Sequence, residues 1–170
     1  GIDIIRVGGA IVANITGGFG SQGGSTITQQ VVKNSFLQSE KTIKRKVQEM
    51  YLAFQLEQKY SKEQIFEMYV NKVYMSSGIH GFSTASKLYF GKDLDELTLA
   101  EAATLAGMPQ SPNNYNPFNH PEKAEKRRNI VLKAMENAGF ITAEERTAAQ
   151  AESLTDSLVA EDNREETKTK

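Results

Sequence analysis

The sequence contains no cysteine and only two histidines in 170 residues. A chain without cysteine has no disulfide framework, no thiolate zinc site and no cysteine nucleophile. His80 and His120 lie far apart, which argues against a histidine-rich metal site. No apolar run approaches the roughly 18 residues of a membrane span. The 20 basic and 21 acidic residues leave a net charge of −1, so no basic excess indicates a nucleic-acid partner.

The amino terminus has neither an initiator methionine nor a signal peptide. We therefore expect Gly1 to be an internal position of a longer protein, called the parent below. With 39% hydrophobic and 24% charged residues, the chain has enough apolar material for one buried core.

Glycine is concentrated at the start of the chain, where residues 1–24 hold eight of the 13 glycines. Because glycine loses the most backbone freedom on ordering, this composition predicts a flexible amino-terminal segment. Residues 16–24 are interpreted as a mobile loop, and residues 9–15 as a short helix or an adaptable apolar arm. The alternative is a connector that merely reaches the next helix.

From Ser25 onward the signals are helical, and no strand alternation of useful length appears. A helix from Ser39 to about Lys59 is predicted from apolar residues spaced four, three and four apart. Capping boxes, helix-ending glycines and an N1 proline predict the later helices. The spaced apolar residues are Ile43, Val47, Met50 and Phe54. The capping boxes open at Ser61, Thr98 and Thr142, the helix-ending glycines are Gly91 and Gly139, and the N1 proline is Pro121. The predicted fold class is therefore all-α.

The last residues, 155–170, hold five acids and three bases among few apolar residues. This composition predicts a disordered tail or a linker stub. The domain itself is expected to span residues 1–154.

Basic residues cluster next to the glycine-rich segment. Lys33, Lys41, Lys44, Arg45 and Lys46 lie within fourteen residues, opposed only by Glu40. A local cationic patch in a neutral chain suits a compact anion such as a diphosphate, and the helix start at residues 23–26 would add free N–H groups. An exposed helix face of Lys/Glu pairs is the alternative.

Glu49 follows Lys46 by three residues and Arg45 by four, so all three side chains can share one helical face. The carboxylate can orient an ammonium group toward a bound anion. It can also be an ordinary surface salt bridge, which spacing alone favours. Gln29 and Gln30 can bind sugar hydroxyls or face solvent.

A series of motifs in this order resembles the glycosyltransferase (transglycosylase) domain of class A penicillin-binding proteins, peptidoglycan glycosyltransferase family 51. The resemblance extends from Gly1 to about Leu154. It is carried by Gly-Ser-Thr-Ile-Thr-Gln-Gln at residues 24–30 with Lys33 and Asn34; Arg-Lys-x-x-Glu at 45–49; Tyr-Ser-Lys at 60–62 with Asn71; Tyr-Phe-Gly-Lys at 89–92; Leu-Ala-Glu at 99–101; and Ala-Gly-x-Pro-Gln at 106–110.

The resemblance implies an all-α, partly lysozyme-like domain that polymerises lipid II into glycan strands, with inversion and release of undecaprenyl diphosphate. It implies catalytic roles for two residues: Lys46 neutralises the leaving diphosphate, and Glu49 is a second essential carboxylate. The implied substrate-binding residues are Ser25, Gln29, Gln30, Lys33, Lys41 and Arg45. Position 41 is more familiar as arginine in this family, and lysine lacks its bidentate fork.

The family's general base is a glutamate in a motif whose tail resembles residues 1–3. This glutamate would lie upstream of Gly1, so residues 1–170 alone are expected to be inactive. The implied partners are lipid II, the growing strand, the membrane surface and a transpeptidase domain in the same parent, with no nucleic acid. The implied location is the outer face of the bacterial cytoplasmic membrane, where a transmembrane helix anchors the parent. No cofactor or metal site is expected, although a divalent cation at the diphosphate is left open.

Two alternatives belong to other classes of function. A lysozyme-like glycan hydrolase would use carboxylates but would have little need of the basic cluster. A non-catalytic helical module that binds anions or lipid would need the cluster but no essential carboxylate.

Overall fold

The computed structural model describes residue 10, residues 28–29 and 31–32, and residues 43–168. Side chains are described at residues 10, 28, 29, 31, 32 and 47–164. Within these residues the chain forms helices and no strand, apart from one isolated antiparallel bridge between Tyr74 and His80. The predicted all-α class is thus confirmed. The predicted mobile loop at residues 16–24 lies outside the described residues, as does the arm at residues 9–15 except for Ala10, which is helical and buried.

Between residues 43 and 168, which the structure describes without a gap, eight α-helices follow one another, with 3₁₀ turns at Leu94–Glu96 and Met108–Gln110. They are α1 (Ile43–Lys59), α2 (Lys62–Lys72), α3 (Phe82–Phe90), α4 (Leu99–Gly107), α5 (Pro121–Asn137), α6 (Ala143–Gln150), α7 (Leu154–Ser157) and α8 (Glu161–Lys168). None of the described helices is both long enough and apolar enough to cross a bilayer.

Local capping sets several of these boundaries, as the sequence predicts. Complete capping boxes open α2 at Ser61, α4 at Thr98 and α6 at Thr142. Each box satisfies two backbone N–H groups that have no partner inside the helix. Gly91 ends α3 in the left-handed conformation, with φ of 67°, which glycine adopts without steric cost.

Helix α4 forms the centre of the core, because every one of its nine residues is buried. Its mostly small side chains let α5 cross it closely, and α3, α6 and α7 also contact it. At the crossing, the Nε of Arg127 donates a hydrogen bond to the carbonyl oxygen of Gly107 over 3.1 Å. Burial of this guanidinium lowers the pKa of Arg127.

The carboxy-terminal residues make several specific contacts with the rest of the chain. Leu154 is 2% exposed, and the N–H of Val159 donates to the carbonyl oxygen of Tyr89 over 2.9 Å. The guanidinium carbon of Arg164 lies 4.0 Å from the ring centre of Phe118. Residues 155–164 thus make defined contacts with α3 and with the loop before α5. The interpretation of residues 155–170 as a disordered tail or a linker stub stays a prediction.

At the crossing of α4 and α5, we expect a glycine-to-alanine substitution to destabilise the protein. Alanine normally stabilises a helix relative to glycine. A Cβ at Gly107, however, would lie 2.8 Å from Cγ of Arg127 and 3.3 Å from Cγ2 of Val131. Gly107→Ala should therefore lower the free energy of unfolding by about 1–3 kcal/mol. Thermal denaturation tests this, and an unchanged or higher Tm would contradict it.

Candidate active site on helix α1

Helix α1 carries Glu49 on the side that faces the protein. Glu49 is 6% exposed and Ala53, one turn later, is 5% exposed. Leu56 and Tyr60 continue the same side and are half-buried. These positions are four, three and four residues apart, the spacing of one helical face. The helix thus places a carboxylate where its own periodicity would place a core side chain.

The other side of α1 is apolar and faces outward. Val47, Met50, Tyr51 and Phe54 are 60%, 54%, 61% and 62% exposed. The apolar spacing does predict a helix here, which the structure confirms, but the stripe does not face the core. Glu49 and Ala53 take the inward side instead.

The low exposure of Glu49 decides between the two interpretations of its spacing. An ordinary surface salt bridge joins two solvated side chains and contributes little to stability. A carboxylate removed from water needs compensating donors or cations, because burial alone penalises its charged form. The burial of Glu49 does not fit an ordinary surface pair, so the residue stays a candidate functional carboxylate, and its catalytic role stays a prediction.

Arg45 and Lys46 lie on the first turn of α1, and their side chains are outside the described residues. The helical register nevertheless places Lys46 three residues and Arg45 four residues before Glu49, on neighbouring positions of the helix surface. Backbone geometry thus brings these three predicted site residues together, with the two cations at the amino-terminal end of the helix.

The other predicted site residues are only partly described. Gln29 is helical and half-buried, beside Thr28 and Val31, which are buried. The positions outside the described residues are Ser25, Gln30, Lys33 and Lys41. Their roles as substrate-binding residues stay predictions.

Glu101 is a second buried carboxylate, and its role is structural. Its Oε1 accepts hydrogen bonds from Nζ of Lys92 over 2.8 Å and from the N–H of Thr98 over 2.8 Å. The carboxylate thus completes the cap of α4 and neutralises Lys92. His80 is structural as well, because its Nδ1 lies 3.1 Å from the carbonyl oxygen of Lys72 and its ring packs on Tyr74.

One group of carboxylates in the described part of the chain has the spacing of a metal site. Ligand atoms of Asp93, Asp95 and Glu96 lie within 4.8 Å of one another, and all three residues are exposed. Lys87 already pairs with Asp93 over 2.8 Å, and its hydrogen bond lowers the pKa of Asp93. The cluster lies in a capped 3₁₀ turn, so we assign no metal to it. The expectation that no cofactor is required stays a prediction.

The geometry agrees with what this chain is similar to. Residues 1–136 match the family model described as Transglycosylase. Penicillin-binding protein 1A/1B of Bacillus subtilis (strain 168) is 60% identical over 143 residues, which cover 84% of this chain and 16% of that protein. Penicillin-binding protein 1A of Streptococcus pneumoniae is 50% identical over 161 residues, 93% of this chain and 22% of that protein.

A solved structure agrees in fold. The crystal structure of penicillin-binding protein 1A from Haemophilus influenzae matches with a TM-score of 0.53 and 31% identity. The match covers 74% of this chain and 16% of that one. The chain thus spans less than a quarter of the length of these relatives. The partly lysozyme-like, all-α class implied by the resemblance is confirmed.

The two sides of α1 should respond differently to the same substitution. Met50→Gln and Phe54→Gln replace exposed side chains and should change the free energy of unfolding by less than about 0.5 kcal/mol. Ala53→Gln places a larger polar side chain on the buried side of α1. This substitution should lower the free energy of unfolding by about 1–3 kcal/mol. Chemical denaturation of the three variants measures this. A larger loss for Phe54→Gln than for Ala53→Gln would show that α1 faces the other way.

Proposed function

Because this chain belongs to the transglycosylase family, we propose that it is the peptidoglycan glycosyltransferase part of its parent, that the parent polymerises lipid II into glycan strands, and that residues 1–170 alone are inactive without the general base. The observation that supports this most directly is the burial of Glu49 in the Arg-Lys-x-x-Glu motif at residues 45–49. Lys46 and Arg45 precede this buried carboxylate by three and four residues on the same helix, and a cationic site of that kind suits a bound diphosphate.

The proposed reaction moves the growing strand. Its reducing-end sugar is the donor, and the 4-hydroxyl of an incoming lipid II attacks the anomeric carbon with inversion. A carbon–oxygen bond forms to the acceptor, while the bond to the undecaprenyl diphosphate breaks and the leaving group keeps the electron pair. The hydroxyl proton goes to a general base. We assign that base to a carboxylate other than Glu49.

Lys46 is proposed to stabilise the negative charge that develops on the departing diphosphate. A cation held at that position lowers the barrier because the charge it meets is larger in the transition state than in the bound donor. Glu49 keeps the ammonium group of Lys46 oriented, which is why its own charge must persist. Its low exposure strengthens the interaction, because the local dielectric is lower than in water.

The remaining basic residues are proposed to bind the donor rather than to act on the reacting bond. Lys33 and Lys41 would contact the donor phosphates, with Arg45 next to them. Ser25, Gln29 and Gln30 would shape the cleft for sugar and amide groups. A divalent cation at the diphosphate remains compatible with this arrangement.

The setting of the reaction is also part of the proposal. Lipid II and the growing strand both carry long polyprenyl chains, so the site must work at a membrane surface, which we place on the outer face of the bacterial cytoplasmic membrane. We expect the parent to be anchored there and to carry a transpeptidase domain. The parent incubated with lipid II should produce polymer; short fragments released from preformed glycan would instead indicate a hydrolase.

Single substitutions in the parent test the roles of Lys46 and Glu49. Lys46→Ala and Glu49→Gln should each reduce the polymerisation rate by about a hundredfold or more, equivalent to at least ~2.7 kcal/mol of transition-state stabilisation. Polymer formation from lipid II measures the rate, and Tm shows that the variants fold. The double variant should lose far less than the product of the two effects, because the residues act as a unit.

Glu57→Gln provides the matched control, because Glu57 lies on the same helix and is exposed. The parent carrying Glu57→Gln should polymerise lipid II at the same rate as the unmodified parent. If Glu49→Gln also retained near-normal turnover with an unchanged Tm, the assigned role of Glu49 would be wrong. If Lys46→Ala retained near-normal turnover while Glu49→Gln did not, a cation other than Lys46 would stabilise the leaving group.

A further inference from the structure

The turn after α2 has an unusual backbone. Ser76, Ser77 and Gly78 have φ values of 63°, 55° and 73°, so three consecutive residues are left-handed. The two serines are the positive-φ residues other than glycine in the described part of the chain. A side chain makes this conformation unfavourable, so it persists only where surrounding contacts impose it.

Two buried side chains impose this conformation. The hydroxyl of Tyr89 donates to the carbonyl oxygen of Met75 over 2.7 Å and lies 3.2 Å from Oγ of Ser77. The Nδ2 of Asn116 lies 3.0 Å from Oγ of Ser76 and 3.1 Å from Oγ of Ser77. Asn116 is 1% exposed, and Tyr89 has no exposed surface. The turn is thus held from α3 and from the loop before α5.

The same two side chains are linked to Phe118. Oδ1 of Asn116 accepts the N–H of Phe118 over 2.9 Å and the N–H of Asn119 over 3.2 Å. The ring of Phe118 meets the ring of Tyr89 edge-on, with centres 5.0 Å apart. A displacement of Phe118 would therefore disturb both groups that hold the left-handed turn.

The carboxy-terminal segment of residues 154–164, called the strap, lies over this link. Arg164 covers Phe118 with its guanidinium, 4.0 Å from the ring centre, and its Nε donates to the carbonyl oxygen of Val159 over 3.0 Å. Val159 in turn donates its N–H to the carbonyl oxygen of Tyr89 over 2.9 Å. The strap thus contacts both aromatic residues on which the turn depends.

We propose that the strap is a clamp that keeps the left-handed turn ordered, so that displacing the strap loosens the turn. The effect reaches Asn71 at the end of α2, because the turn closes against that residue: a Cβ at Gly81 would lie 2.7 Å from its carbonyl oxygen. Contacts run without interruption from Arg164 through Phe118 and Tyr89 to Ser77, which is the physical requirement for such coupling.

Hydrogen exchange measures the clamp directly. Three amides report on the turn: Met75, Ile79 and Gly81 donate to the carbonyl oxygens of Ile79, Ser76 and Val73 over 3.0, 3.0 and 2.7 Å. In Arg164→Ala these amides should exchange at least about tenfold faster, while amides of the fully buried α4 keep their rates. Arg164→Lys keeps the cation over the ring and should restore most of the protection.

Arg146→Ala is the matched control, because it removes another half-buried arginine, one paired with Glu136 on the α5–α6 side. It should leave the amides of Met75, Ile79 and Gly81 unchanged. Equal exchange at these amides in Arg164→Ala and the unmodified protein would overturn the proposal, and so would a uniform increase that includes α4. Should Arg164→Ala fail to fold, Phe118→Leu removes the ring and is judged by the same criterion.

Discussion

Burial of α4 along its whole length is the constraint on which the rest of this domain depends. A helix with no exposed face must be covered on every side, and its small residues allow the covering helices to approach closely. The two ends of α4 then require particular contacts. The amino-terminal end is closed by Thr98, Glu101 and Lys92, and the carboxy-terminal end allows the hydrogen bond from Arg127 to Gly107.

The candidate functional carboxylate, Glu49, lies at the edge of this core, on α1. This helix places a carboxylate toward the protein and a stripe of large apolar side chains toward solvent. Stability alone would favour the opposite orientation, since burying Phe54 rather than Glu49 removes apolar surface from water and leaves a charge hydrated. Local conflicts of this kind are typical of functional sites, where a sequence serves chemistry in addition to folding.

The features that the sequence predicts well depend on residues that are close together in the chain. The boxes at Ser61, Thr98 and Thr142 are complete within four residues, so their helices are predicted at the right starts. The orientation of α1 depends on distant packing, and periodicity alone misplaces its apolar stripe. The ordered strap depends on single contacts to Tyr89 and Phe118, far away in the sequence. The motif residues 45–49 were identified by resemblance, but only the structure shows that Glu49 is buried.

The contrast between the two buried glutamates explains why one is assigned to function and the other is not. Glu101 has a local reason for its burial: it lies in the first turn of α4, and its Oε1 caps a backbone N–H and pairs with Lys92. Glu49 lies in the second turn of α1, where no capping role exists. Capping of the helix therefore gives no reason for its burial. Lys46 and Arg45 precede it by about one turn, so a helix that buries this carboxylate also fixes the backbone positions from which those two residues extend.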